Sequence, residues 1–180
     1  VSGTIPAVIS GANFSDDGRH RYSLYRCWDP STESLPFIMC NPSTADASTD
    51  DPTIRRCVGF AKSHGYGGII VRNLYAWRAT SPKDLNAARR AGEDIIGPEN
   101  AEWLAGLLPL ARPVVAAWGA LGALRSSAAD RAPTDAYVDT VVDMFAGCLF
   151  RLDARKSVAA PHPLYLPSTA RLVAYGLGQP

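Results

Sequence analysis

Apolar positions along this chain fall into two alternating patterns. Four short blocks are apolar almost without interruption: Pro36–Cys40, Gly68–Leu74, Val114–Trp118 and Cys148–Leu152. Runs of that length, bounded by polar or Gly/Pro residues, predict strands covered on both faces. Between them the apolar residues recur at helical spacing. Ile54, Val58 and Ala61, joined by Cys57, form one stripe behind a start signal at Asp51-Pro52 and ahead of a stop at Gly65. Leu85–Arg90 and Glu99–Leu108 predict two further helices, separated from the preceding strand by a loop at Thr80–Lys83. Tyr137, Val138, Val141, Val142 and Phe145 give Asp135–Phe145 an apolar face, and Ser168–Tyr175 predicts a last helix.

The amino-terminal part is patterned differently. A short strand is expected at Ala7–Ser10, and Arg21–Cys27 alternates, with Tyr22, Leu24 and Arg26 on one face. Trp28–Leu35 is a turn. Strands alternating with helices imply a parallel sheet with helices on both faces. The expectation is one α/β domain over residues 1–180. It would be a three-layer α/β/α sandwich with a mainly parallel four-stranded core sheet, and residues 1–35 would form an antiparallel extension.

Composition narrows this picture. Apolar residues make up 47% and charged residues 19% of 180, enough for a real core without disulfides or metal. No apolar run is long enough to span a membrane and no signal peptide is recognisable. Cys27, Cys40, Cys57 and Cys148 lie far apart with no C-x-x-C, which predicts free thiols, no metal, no cofactor and a cytoplasmic protein. The net charge of +1 argues against coating nucleic acid by bulk electrostatics. It leaves room for a local basic cleft, because 15 of the 18 basic residues are Arg.

Ligands of open α/β sheets bind beyond the carboxyl ends of the strands. Three loops predicted at those ends carry unusual polar content: Asn41-Pro42-Ser43, Asn73 to Arg78, and His162-Pro163. The stretch from Ile38 to Thr80, together with Trp118-Gly119-Ala120-Leu121-Gly122 and Pro161–Leu166, resembles the domain-of-unknown-function family 1643 over roughly residues 19–175. That family's name states no activity. A more distant similarity is to the uracil-DNA glycosylase superfamily. Cys40-Asn41-Pro42-Ser43 resembles its first motif, Ile70-Val71-Arg72-Asn73 its base-reading strand end, and His162-Pro163-Leu164 its last motif. Three departures stand out. Met39-Cys40 replaces an opening glycine, Asn41 stands where the most active members carry a carboxylate, and Leu164 replaces a small residue.

The residues themselves support a specific chemistry. An Asn41 amide could orient water beside a glycosidic carbon, although Asn-Pro is also a plain turn opener. Asn73 offers a donor and an acceptor to a base edge, against a simple Asx turn. Tyr75, Trp77 and Arg78 could stack on a base, though strand-end aromatics also serve as core. His162, stiffened by Pro161 and Pro163, could stabilise a leaving base or act as a general acid. Asp46 is the expected general base because it is close to Asn41 in sequence. Asp51 is explained as a helix cap. Pro42, Ser43, Thr44, Arg55 and Pro163 complete the expected substrate contacts, with Ser43 and Thr44 donating to a phosphate or base carbonyl.

These readings define three hypotheses. The first is a nucleobase- or nucleotide-recognising protein of uracil-DNA glycosylase-like type that hydrolyses an N-glycosidic bond in DNA. The second is a non-catalytic module that binds a base, nucleotide or DNA. The third is unrelated small-metabolite chemistry on the same scaffold. A basic rim of Arg19, Arg21, Arg55, Arg56, Arg72, Arg78 and Arg155 would favour a polynucleotide.

Overall fold

Side chains alternate between two sides of the sheet wherever the chain runs through its centre. In the strand Ser34–Met39, Leu35, Phe37 and Met39 join one buried cluster and Ile38 joins another. Val114 and Ala116 oppose Val115 in the same way. A segment apolar at every position therefore has a core on each face, which explains the unbroken apolar runs. These relationships come from a computed structural model that describes residues 8–43, 48–108, 113–153 and 160–176.

Seven strands form one mixed sheet among the described residues. They are β1 (Ile9–Phe14), β2 (Arg21–Cys27), β3 (Ser34–Met39), β4 (Gly68–Asn73), β5 (Val114–Ala116), β6 (Leu149–Leu152) and β7 (Leu172–Ala174). Their order is β1-β2-β4-β3-β5-β6-β7. β3 pairs in parallel with β4 and with β5, and β5 with β6. β1, β2 and β7 add antiparallel.

The helices divide between the faces. α1 (Pro52–Ser63) packs Ile54, Cys57, Phe60 and Ala61 onto the Phe37 side. α2 (Pro82–Arg90), α3 (Asn100–Ala105) and α4 (Ala128–Met144) cover the Ile38 side through Leu85, Leu104, Val138 and Val141. Each start has a local cause. Asp51 Oδ1 accepts the Ile54 N–H at 2.8 Å, and Pro52 supplies a preset φ. Gly65, at φ +82°, takes the left-handed position past the end of α1. Ser81 and Asp84 make a reciprocal capping box for α2.

Five sequence expectations need correction. The segment Ser168–Tyr175 is no helix: Leu172–Ala174 is β7, paired with Phe150–Leu152. The open edge of β6 recruits it, and local propensity cannot register such a partner. α4 begins at Ala128, seven residues before the expected start at Asp135, because Ser127 caps it and Asp130 receives ion pairs from Arg89 and Arg90. Pro133 inside it forfeits a single backbone hydrogen bond. α2 starts at Pro82, within the expected loop, and α3 stops at Ala105, before Gly106. The expected strand Ala7–Ser10 is displaced to Ile9–Phe14. No helix of the described residues is long and apolar enough to cross a membrane.

Candidate functional site

The chain leaves β3 toward α1 on one face and leaves β5 toward α4 on the other. The carboxyl ends of these two neighbouring strands therefore part their connections, and a crevice opens between them. The cleft at this point measures about 1500 Å³. Asn41, Asn73 and His162 all line it, although more than 120 positions separate the first from the last. Ser43, Asp51 and the turn Gly119–Ala123 line it as well.

Asn41 follows β3 by two positions. Its Nδ2 donates to the Pro42 carbonyl at 3.0 Å and to the Ala79 carbonyl at 2.9 Å. Two carbonyl partners identify that end of the amide as the NH₂ and consume both hydrogens. The Oδ1 is left as an acceptor for a ligand or water. The neighbouring loop is anchored separately: the Ser43 hydroxyl donates to Asp51 Oδ2 while Asp51 Oδ1 caps α1. A carboxylate is thereby held in the cleft by two donors.

Asn73 ends β4 opposite Met39 and is 1% exposed. Asn100 Nδ2 binds the backbone here, donating to the Asn73 and Leu74 carbonyls at 3.0 and 2.9 Å. The Asn73 side chain is treated differently: its buried Nδ2 has no hydrogen-bond partner among the described residues. A buried donor left unsatisfied costs roughly 1–3 kcal/mol. Asn73 also lines the cleft, where an acceptor on a bound ligand would satisfy that donor.

His162 is half-buried between Pro161 and Pro163. Its Nδ1 accepts the Leu164 N–H at 3.3 Å, so the neutral ring carries its proton on Nε2. Burial holds the imidazole below its usual pKa, and the Asp51 charge opposes that only in part. The uncharged ring can donate through Nε2 at neutral pH. Gly119 steadies this loop, its N–H donating to the Ala160 carbonyl at 2.7 Å. At φ +74° the position favours glycine.

Several expected contacts lie elsewhere. Tyr75 packs in the core against Tyr137, ring centroids 5.4 Å apart, and burial pushes its hydroxyl up to about 12. Trp77 meets the His20 ring edge-on at 5.4 Å and carries Arg19 over its face. Arg78 donates to the Gly18 carbonyl and lies over Phe14. Arg55, on the exposed side of α1, reaches back to the Asp50 carbonyl. These four side chains serve the fold and do not line the cleft. Pro42 and Pro163 are buried and shape the two loops without lining it. Asp46 and Thr44 lie outside the described residues.

Sequence reasoning overlooked other cleft residues. It gave Asp51 only a capping role, whereas that carboxylate also lines the cleft and acts electrostatically on His162. It treated Trp118–Gly122 as a family feature without assigning it to the site. The signal was available in two glycines directly after a buried strand; between them Leu121 adopts φ +53°, a strained value for a side-chain-bearing residue. Cys40 also borders the cleft, but burial raises its thiol to about 12, which makes it a poor nucleophile. All four cysteines are free thiols.

A family model described as protein of unknown function (DUF1643) matches residues 21–164, about four-fifths of the chain. The chain belongs to this family. Its matched span runs from the first residue of β2 to the His162 loop, so it includes every cleft residue considered above. Neither a curated protein nor a solved structure matches the chain.

Proposed function

We propose that this member of the DUF1643 family recognises a nucleobase in the cleft and hydrolyses the N-glycosidic bond that carries it. The observation that carries this reading is the unpartnered, buried Nδ2 of Asn73, in one cleft with the free Oδ1 of Asn41 and the neutral ring of His162. An amide that gives and accepts hydrogen bonds suits the mixed edge of a base. The order of the three motifs also parallels that of the uracil-DNA glycosylase superfamily, and a fold of that type is part of the proposal.

This reading gives each residue a role. Asn73 holds the base edge. Asn41 Oδ1 positions a water against the sugar carbon. The negative charge of Asp51 favours the cationic character that develops on the sugar. His162 donates from Nε2 to the base as it departs. The bond from sugar carbon to base nitrogen breaks, its electron pair leaving with the base. A bond from the same carbon to the water oxygen forms, and the base takes up the proton that the water loses. An amide cannot deprotonate water, so turnover is slow.

A second reading is recognition without cleavage, favoured by the amide at Asn41 and by the exposed Leu164 after His162. One screen separates the two. The purified chain is offered nucleosides, nucleotides and oligonucleotides carrying uracil, deaminated and hypermodified bases, and both base release and retention are scored. Release that disappears in Asn41→Ala with binding preserved supports hydrolysis. Retention without release assigns the binding role. Neither retention nor release with any compound refutes the nucleobase reading.

A further inference from the structure

Among the described residues, Arg21 alone of the arginines that could have marked a path for a nucleic-acid strand lines the cleft, and the others are placed elsewhere. Arg19 is paired with Glu93, Arg55 with the Asp50 carbonyl, Arg56 with the Leu166 carbonyl and Arg78 with the Gly18 carbonyl. Arg72 is buried beneath the Trp103 ring. Arg155 lies outside the described residues. Among the described residues the cleft is lined by three cations, Arg21, Lys83 and Arg171, and by two carboxylates, Asp51 and Asp153. Polynucleotide affinity at physiological salt comes largely from neutralising many phosphates, and this lining is close to balanced.

Two further features of the lining suit an anion. Lys83 is exposed, makes no ion pair among the described residues, and borders both the cleft and an adjoining groove that runs to Arg90 and Ser126. The turn Gly119–Ala123 lines the same cleft, and Ala123 also borders that groove; the N–H groups of Ala120, Leu121 and Gly122 take part in none of the backbone hydrogen bonds of the described residues. Three N–H groups and an ammonium in one cleft lining, none of them paired among the described residues, suit a single phosphate. The buried donor of Asn73 belongs to the same cleft and suits a base.

We infer that the ligand is a free nucleotide, with its base on Asn73 and its phosphate between Lys83 and the Gly119–Ala123 turn, and not a base carried in a nucleic-acid strand. The inference rests on the nucleobase reading above and narrows its substrate class. It places the protein in the handling of nucleotide monomers.

Calorimetric titration of the full chain tests this with three sets of probes: nucleosides, their 5′-monophosphates, and single- and double-stranded 12-mers of the same bases. At least one monophosphate is expected to bind about tenfold or more tighter than its nucleoside, the worth of a hydrogen bond to a charged group. Lys83→Ala should remove that advantage without altering nucleoside affinity or the thermal midpoint, and Lys83→Arg should restore much of it. Equal affinity for nucleoside and monophosphate, or an advantage that survives Lys83→Ala, overturns the phosphate position. A 12-mer that binds about 100-fold tighter than any monophosphate, with a log–log salt slope steeper than about −2 (the value for three phosphates on a single strand), overturns the free-nucleotide inference while sparing the nucleobase reading. Absence of binding by all three sets refutes both.

Discussion

Two loops leave neighbouring parallel strands with similar promise and meet different ends. The loop after β4, Leu74–Arg78, is rich in aromatic and basic side chains. The first three residues of the loop after β3, Asn41–Ser43, carry an amide, a proline and a hydroxyl. In the first, the side chains with the capacity to bind a base are used internally: Tyr75 in the core, Trp77 against His20, Arg78 on the Gly18 carbonyl. In the second, hydrogen bonds to Pro42 and Ala79 turn the Asn41 amide so that its oxygen stays available. Richness in binding chemistry is thus a weaker guide to a site than a polar atom that the fold leaves without a partner.

Substitutions can break this contrast, and the largest effect is expected at Trp77. Trp77→Ala should lower stability by about 3 kcal/mol, toward the lower end for a large aromatic because Trp77 is only half-buried. Denaturant titration would show it, with ligand affinity unchanged after correction for the folded fraction. A selective loss of affinity at full stability would move the loop after β4 into the site.

His162→Ala should slow base release about 100-fold, close to 2.7 kcal/mol of transition-state stabilisation. Single-turnover release at saturating protein measures it, and a change confined to affinity would leave His162 a binding residue only. Asn73→Ala should weaken ligand binding by about 1–2 kcal/mol and leave stability equal or slightly higher, since it removes a donor that nothing in the free protein satisfies. A clear loss of stability in that variant would mean that the amide serves the fold after all.

The smallest effect is on pH dependence. Because burial depresses the His162 pKa in the folded chain, the unfolded chain binds more protons as pH falls through the ordinary value of about 6.5. The contribution is therefore complete above that value and is lost as pH falls toward and through the depressed folded value. Wild type should lose stability between neutral and mildly acidic pH, and His162→Ala should lose less. Parallel curves for the two proteins would contradict the burial argument.

Much of the architecture was legible in the sequence because its causes are local. Period-two and uninterrupted apolar runs marked β2 to β6, and Asp51-Pro52 with Gly65 bracketed α1 almost to the residue. The loops carrying Asn41, Asn73 and His162 could be assigned to one sheet edge from strand order alone. The less legible parts involve partners distant in sequence. β7 exists because β6 offers an edge, and the first turn of α4 holds because Arg89 and Arg90 from α2 reach Asp130.

Residue types and their periodicity determined the alternating α/β plan, the strand-end loops and the amino-acid chemistry available there. Tertiary structure alone decided which of that chemistry remained free. It parted the connections of β3 and β5 to open the cleft, brought Asp51 within electrostatic reach of His162, and spent Tyr75, Trp77 and Arg78 on internal contacts. The physical reason is that a propensity is a property of neighbours along the chain, whereas an unsatisfied donor depends on every group that folding brings near it, and among the described residues Asn73 Nδ2 meets none that accepts.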